Sequence, residues 1–537
     1  MRHASSTDGR KWRVMAEPVL VVDQTWERGR LFYPTVLKID DAYLMWYGSY
    51  AAKRSGTTSL GFATSLDGLR WYKHPQNPVL RPDPNRAWES NYVTSQSVMQ
   101  LSDGSFRIWY ASRKKPPFVN KYFALNTARW LGIGTPKETA DRSTNRFKDR
   151  DRFTAWQSQT RQKLRGILGI PEKRVLLDAE KRGQVERDGV VIEKWVFTSE
   201  PGSKVPTVLY RPKEPQGRMP AIVLTFGHGG SKSQWQYNYA GLVYAKLGLA
   251  CLACDPIGEE ERHHEGRLGT RAHDPKRVHD RADKAGRLIM GKLIFDTMRG
   301  IDFLIERDDI DHDRIGVAGN SLGGAKAGWM AALEPRIKMA IVSGWAFHDI
   351  GLRTKYCTKA PNQRMREICT WPEYAALAAP DCAVLITNGD ADWVIDREDD
   401  KSAWAGTRKV VGQVSEIYKM LDNPGHIKTW FEKDGGHRPY MVYKQSLEWI
   451  HQHLGTPGWT LEQIRDLPTV NSGKWCDQHG IKLERLYGTD LHQRGATVPD
   501  FKLSPTRREV LSCLKSDELG SSEFTVEGWL ETIEKTD

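Results

Sequence analysis

The chain has 537 residues, 39 % of them hydrophobic, and a formal net charge of +12. That length holds two to four domains and at least one large core, and no apolar run reaches the about 18 residues a membrane span requires. Seven cysteines is an odd, sparse count that argues against a disulfide framework, and most basic residues are interleaved with acids, so nucleic acid is not an expected partner.

The N-terminus, MRHASSTDGRKWRV, lacks an apolar core segment, so no signal peptide is expected in this chain. A secreted or periplasmic address stays open for a chain truncated at its N-terminus. Residues 1–125 repeat themselves. ASSTDGRKWRVMAEPVL matches ATSLDGLRWYKHPQNPVL, and the same interval separates Asp8 from Asp67 and Trp12 from Trp71. YPTVLKIDDAYLMWYGSY has a later counterpart in VTSQSVMQLSDGSFRIWYASR. Alternating apolar and polar residues around DG turns read as short strands, and a repeat of this length built of strands suggests propeller blades. On its SxDGxxW…PVL pattern the segment resembles the five-bladed β-propellers of glycoside hydrolases. About two blades are present, and the resemblance implies a structural or docking appendage able to pack on a partner chain.

Residues 126–152 turn polar and charged and read as a linker, with a basic excess in DRSTNRFKDRDRF. RFTAWQSQTRQKLRGILGI then reads as an amphipathic helix. From 153 to 455, strands alternate with helices. The strands are GVVIEKWVFTS, KVPTVLYRP, PAIVLTFG, LACLACD, RIGVAGN, KMAIVSG, CAVLITNG and IKTWFEK. That order predicts an α/β domain with a mostly parallel, doubly wound sheet, and the first two strands suggest an antiparallel hairpin at one edge. Cys251 and Cys254 form a CxxC within a strand, where their side chains face opposite ways. They read as buried small hydrophobes. Ile294, Met298, Ile301 and Ile305 recur at helical spacing and read as core. Residues 456–537 read as a mixed, partly helical extension.

Gly319-Asn320-Ser321-Leu322-Gly323 lies between a predicted strand and a predicted helix. In a nucleophile elbow the serine takes a strained turn, and only small neighbours fit beside it. The hydroxyl then needs a base and a group to orient that base. CAVLITNGDADWVID supplies Asp392 just past a late strand, with Asp390 as the alternative. IKTWFEKDGGHRPY supplies His437 after the last strand. All three loops are expected at one end of the sheet. Leu322, directly after the serine, is the first candidate oxyanion donor, and the turn His228-Gly229-Gly230 offers the second, Gly229 or Gly230.

The region 153–455 resembles the α/β-hydrolase superfamily, and within it the bacterial acetyl xylan esterases and dienelactone hydrolase-like esterases. GHGGSKS, CDPIGEEER, GNSLGG and DGGH carry that likeness. A serine in place of the dienelactone hydrolases' cysteine favours the esterase branch. The resemblance implies a serine esterase with Ser321, His437 and Asp392 as triad, no metal or organic cofactor, and an acylated carbohydrate or other small ester as substrate. Oligomeric state is not legible. Asp255, Glu260 and Arg262 read either as pocket residues or as an internal ion pair. His263, His264, His273 and His279 fit no standard metal spacing and read as a surface loop over the active-site mouth. His348 reads as a packed loop residue that could touch substrate. Rival readings are a serine peptidase of the prolyl oligopeptidase type, a glycosidase or bifunctional enzyme, and a non-catalytic carbohydrate-binding scaffold.

Overall fold

The computed structural model describes the chain except residues 28, 40–41, 52–56, 66, 75–76, 102–104, 115–122, 131–146, 148, 349–355, 396–401, 483–493 and 536–537. The chain divides into two compact units, Met1–Arg146 and Phe147–Asp537. The division therefore falls inside the segment read as a linker, and residues 456–537 belong to the second unit.

The first unit is all β. Strands β1 (Arg2–Ser5) and β2 (Arg13–Pro18) pair with each other. β3 (Gly29–Ile39), β4 (Ala42–Ala51), β5 (Leu60–Ser65) and β6 (Tyr72–Lys73) form a four-stranded antiparallel meander. β7 (Tyr92–Gln100), β8 (Phe106–Arg113) and β9 (Ala124–Trp130) form a three-stranded one. Leu44, Trp46, Phe62, Val93, Phe106 and Ile108 from these two sheets share one buried cluster. The sequence repeat is visible in its turns. Asp8 Oδ1 accepts from the Arg10 and Lys11 amides at 2.8 Å, and Asp67 Oδ1 accepts from the Leu69 and Arg70 amides at 2.8 Å. Gly9 and Gly68 follow at φ +68° and +74°.

The second unit is built on a nine-stranded sheet of β10 (Glu180–Arg187), β11 (Val190–Glu200), β12 (Ser203–Pro212), β13 (Met219–Thr225), β14 (Ala250–Cys254), β15 (Ile310–Asn320), β16 (Ile337–Ser343), β17 (Ala383–Gly389) and β18 (Ile427–Glu432). Their order across the sheet is β10-β11-β12-β14-β13-β15-β16-β17-β18. The eight strands read from sequence are all present. The edge differs from the expected hairpin: β10, β11 and β12 run antiparallel in succession, and β12 meets β14 antiparallel. β10, with the sequence EKRGQVER and mostly exposed or half-buried residues, has no apolar face to betray it. From β14 through β18 every pairing is parallel.

Alternation along each parallel strand feeds two cores. Ala221 and Val223 face one cluster while Ile222 and Leu224 face the other. Cys251 and Cys254 likewise fall on opposite sides of β14, and all seven cysteines are free. Helices α1 (Arg150–Leu168), α2 (Trp235–Lys246), α3 (Lys276–Lys284), α4 (Ile289–Ile305), α5 (Leu322–Leu333), α6 (Tyr356–Ile368), α7 (Trp371–Ala376), α8 (Ser402–Met420) and α9 (Lys444–His453) cover both faces. α1 starts where Asp149 Oδ1 caps the Arg152 amide at 2.8 Å and stops at left-handed Gly169, burying Phe153, Gln157, Leu164 and Leu168 along one stripe. α2 and α9 pack on one face of the sheet, and α1, α4, α5 and α8 on the other. Ile294, Met298 and Ile301 are fully buried. Among the described residues no helix is long and apolar enough to cross a membrane.

The C-terminal stretch completes both cores. Trp475, Val498, Leu503 and Phe524 enter one cluster, and Val526, Trp529 and Leu530 enter the other. The indole of Trp529 is fully buried and donates to Glu200 Oε1 at 3.0 Å. Trp529→Ala is therefore expected to destabilise the second unit by about 3–5 kcal/mol through cavity formation, read from the shift in its denaturant-unfolding midpoint.

Candidate functional site

Ser321 ends β15 and begins α5. Its backbone lies at φ +63°, ψ −124°, a conformation that costs a non-glycine residue about 1–3 kcal/mol unless the surroundings hold it. Those surroundings are the ends of two neighbouring strands. The Ser321 amide donates to Ser343 O at 2.9 Å, and Ala325 N donates back to Ser321 O at 3.0 Å. Thr225 Oγ1 donates to Gly323 O at 2.7 Å. A Cβ on Gly319 or Gly323 would overlap Thr225, and one on Gly324 would overlap the Ser343 carbonyl. The small residues around Ser321 are thus a steric requirement of the turn.

His437 and Asp392 are brought together. His437 Nδ1 lies 2.7 Å from Asp392 Oδ2, and the Asp392 carboxyl is fully buried. Asp392 also accepts from the Val394 amide at 3.0 Å. Asp390 faces elsewhere, its Oδ1 accepting from the Asp434 amide at 2.7 Å. The link from His437 to Ser321 runs through a residue the sequence reading did not single out. Gly344 has φ +59°, and a Cβ there would sit 3.0 Å from His437 Cε1, 3.1 Å from Ser321 N and 2.6 Å from Asn320 Oδ1. The imidazole and the elbow therefore flank the same bare glycine. A glycine just after the strand KMAIVS was the available signal, meaningful only once that strand is known to adjoin the elbow.

The turn after β13 lies against Ser321. A Cβ on Gly227 would be 3.2 Å from Ser321 Cβ. The Gly227 amide donates to Tyr237 Oη at 2.6 Å, and the Gly230 amide donates to Gly227 O at 2.9 Å. Gly230 is thereby engaged within the turn. Among the described residues the amides of Gly229 and Leu322 have no protein acceptor. Gly229 sits at φ +71° with the Arg271 side chain beside it.

The loop after β14 departs from the expected surface loop. His263, His273 and His279 are buried, and only His264 is exposed. Charged side chains in and around this loop are buried in pairs. Lys232 Nζ bonds Asp255 and lies 2.6 Å from Glu261 Oε2, and Arg262 Nη1 lies 2.7 Å from Asp296 Oδ2. The surrounding carboxylates hold Lys232 protonated, its pKa raised well above the ordinary lysine range despite burial. Asp255, Glu260 and Arg262 accordingly brace the loop. His348 packs its ring against Gly406 of α8. Trp393, directly after Asp392, keeps 54 % of its surface exposed.

A glycine-flanked serine at a β–α junction of this sheet order is the arrangement of the α/β-hydrolase fold. More particularly, the chain resembles the acetyl xylan esterases. The family model "Acetyl xylan esterase (AXE1)" matches residues 172–347, and that of the prolyl oligopeptidase family matches residues 283–456. A Bacillus subtilis (strain 168) protein described as a hydrolase, YtaP, is 27 % identical over 197 residues, covering 34 % of this chain and 63 % of that protein. An uncharacterized peptidase of the same strain, YuxL, is 29 % identical over 191 residues, covering 34 % of this chain and 27 % of that protein. The chain thus spans less than two thirds of the length of these curated relatives. Among solved structures, acetyl xylan esterase 1 from Thermoanaerobacterium sp. JW/SL YS485 shares 18 % identity, with 57 % of this chain and 94 % of that chain covered and a TM-score of 0.37.

Two tests follow from the geometry. Gly344→Ala inserts a methyl between imidazole and elbow and is expected to slow modification of Ser321 by a fluorophosphonate about 100-fold; an unchanged rate would mean that the neighbours absorb the methyl. Glu259 is buried, and burial outweighs the Arg271 and Thr270 amides it accepts, pushing its pKa up to about 7 from an ordinary 4.5. A raised carboxyl pKa means that the folded state holds the proton longer. Its contribution to stability is therefore complete below about pH 4.5 and lost as pH rises through about 7. Unfolding midpoints across pH 4–8 should fall less steeply in Glu259→Gln than in the wild type.

Proposed function

We propose that the chain is a serine carboxylic-ester hydrolase that removes acyl groups, acetyl foremost, from carbohydrate. In this reading His437 takes the proton of Ser321 Oγ, and the oxygen attacks the ester carbonyl. The Leu322 and Gly229 amides receive the developing oxyanion. Asp392 keeps the proton on His437 Nδ1, so that Nε2 is the base, and stabilises the imidazolium that forms. His437 then protonates the departing sugar oxygen, and water, activated by the same nitrogen, releases the acid.

The observation that carries the reading is the strained, positive-φ serine across one bare glycine from an imidazole whose far nitrogen is tied to a buried carboxylate. The carbohydrate part rests on less: likeness to acetyl xylan esterases over residues 172–347 and the half-exposed indole of Trp393 beside Asp392, suited to stacking on a sugar face. Residues 1–125 fit the role of a propeller-blade-like docking appendage. The match to the prolyl oligopeptidase family over residues 283–456 supports a second reading, amide hydrolysis by the same three side chains.

Wild-type protein is expected to hydrolyse 4-nitrophenyl acetate and to release acetate from acetylated xylan. Ser321→Ala and Asp392→Asn should each lower kcat by about 10⁴-fold. Turnover of proline-containing amides alone would replace the esterase reading with the peptidase one, and a fluorophosphonate that fails to label Ser321 would end both.

A further inference from the structure

In the second unit, three sequence-distant segments bring their polar side-chain ends to one point. His228 comes from the turn after β13, Asp274 from the loop before α3, and Cys357 from the first turn of α6. Cys357 Sγ lies 2.6 Å from His228 Nε2 and 3.3 Å from Asp274 Oδ1, and His228 Nε2 lies 3.5 Å from that same oxygen. Cys357 is 1 % exposed, and the Asp274 carboxyl 9 %.

This is not a second nucleophile–base–acid relay. In such a relay the carboxylate binds the imidazole nitrogen opposite the nucleophile. Here thiol and carboxylate both face Nε2, so the three donor atoms converge on one volume. Convergence of a thiol, an imidazole and a carboxylate is the arrangement of a metal site.

Two neighbouring atoms lack a partner. Asp274 Oδ2 is buried without a hydrogen bond. So is Nε2 of His273, 1 % exposed and 3.6 Å from Asp274 Oδ1. His273 Nδ1 sits 2.8 Å from Ile257 O. A carbonyl only accepts, so Nδ1 carries the proton and Nε2 is left as a lone pair directed at a carboxylate oxygen. A cation on Asp274 relieves the opposition between that lone pair and the carboxylate.

We propose that His228 Nε2, Asp274 and Cys357 Sγ bind one divalent transition-metal ion, zinc by its chemistry, with a fourth position left to water. Bond lengths of about 2.3 Å to sulfur and about 2.0–2.2 Å to nitrogen and oxygen place tetrahedral ligand atoms about 3.3–3.6 Å apart. The sulfur–oxygen and nitrogen–oxygen separations already have that length. The sulfur–nitrogen edge is closed by a thiol–imidazole hydrogen bond, and it opens when the ion takes the place of the thiol proton, which passes to solvent. The ion ties α6 and the loop before α3 to the turn that carries Gly229. It takes no part in acyl transfer, so the site stands or falls independently of the esterase reading.

The test uses the full-length protein, stripped with a chelator and titrated with zinc, then separately with cobalt(II). About one equivalent of zinc is expected to bind and to raise the thermal midpoint, and cobalt is expected to give a thiolate-to-metal charge-transfer band. Cys357→Ser and Asp274→Asn should each weaken zinc binding more than about tenfold, with circular dichroism of the stripped proteins reporting whether each variant folds. If a variant does not fold, the cobalt band of the wild type decides alone. Absence of that band, zinc that leaves the thermal midpoint unchanged, or equal zinc affinity in wild type and a folded Cys357→Ser would each overturn the proposal.

Discussion

The second unit is organised around a steric constraint at residues 319–324. Ser321 can hold φ +63° only because three glycines let the ends of β13 and β16 close on the turn from either side. This requires β13, β15 and β16 to lie side by side, parallel and in register at their carboxyl ends. They do: Thr225 pairs with Gly319, and Asn320 pairs with Ser343. The exchange of β14 and β13 in the sheet order is what sets β13 beside β15. The strain is thus stored in a backbone turn and held by the sheet beneath it, with Thr225 Oγ1 donating to Gly323 O as a side-chain tie.

What was legible in the sequence follows the same division. Strands buried on both faces, such as AIVLT and CAVLITNG, read as continuous apolar runs, and helices such as α4 show their periodicity. β10 has neither signature, because an edge strand with both faces wet can be almost any polar sequence. The glycine-rich elbow, Asp392 and His437 stood out because each follows an apolar strand with turn-forming residues. Gly344 did not, since its meaning comes from what it separates in space. The histidine-bearing stretch after β14 was misread for a different reason. ERHHEGRLGTRAHD has the composition of solvated surface, and composition cannot tell whether charges face water or one another.

In that loop they face one another. Lys232 is fully buried among Asp255, Glu260 and Glu261. Burying charges is costly even when paired, and losing one partner of such a set typically costs about 3–5 kcal/mol. Glu261 meets its remaining acceptor capacity far along the chain, taking the amides of Cys513 and Leu514 and the hydroxyl of Ser512. Residues 512–514 are therefore an integral part of the second unit: without them a carboxylate beneath the β14 loop would lose three of its hydrogen bonds in a dry interior. Nothing local in the 456–537 sequence announces this, because the feature it serves lies some 250 positions away.

The turn after β13 shows how the same logic of satisfied and unsatisfied groups points to chemistry. Its amides are sorted. Gly227 gives its N–H to Tyr237, and Gly230 gives its N–H to Gly227, which closes the turn and fixes its shape. Gly229 is held open at positive φ, with its carbonyl fastened by Gln234 Nε2 and its amide unspent. Among the described residues that amide has no protein acceptor, and it lies in the turn that packs on the nucleophile candidate; the Leu322 amide, in the first turn of α5, has none either. Both donors flank the strained serine, and an oxyanion formed on an acyl carbon attached to Ser321 is a group that would satisfy both. In GHGGSKS as a string of letters Gly229 and Gly230 both stand as candidates, Gly229 the favoured one; the hydrogen bonds of the turn add that the Gly230 amide is taken up by Gly227 O.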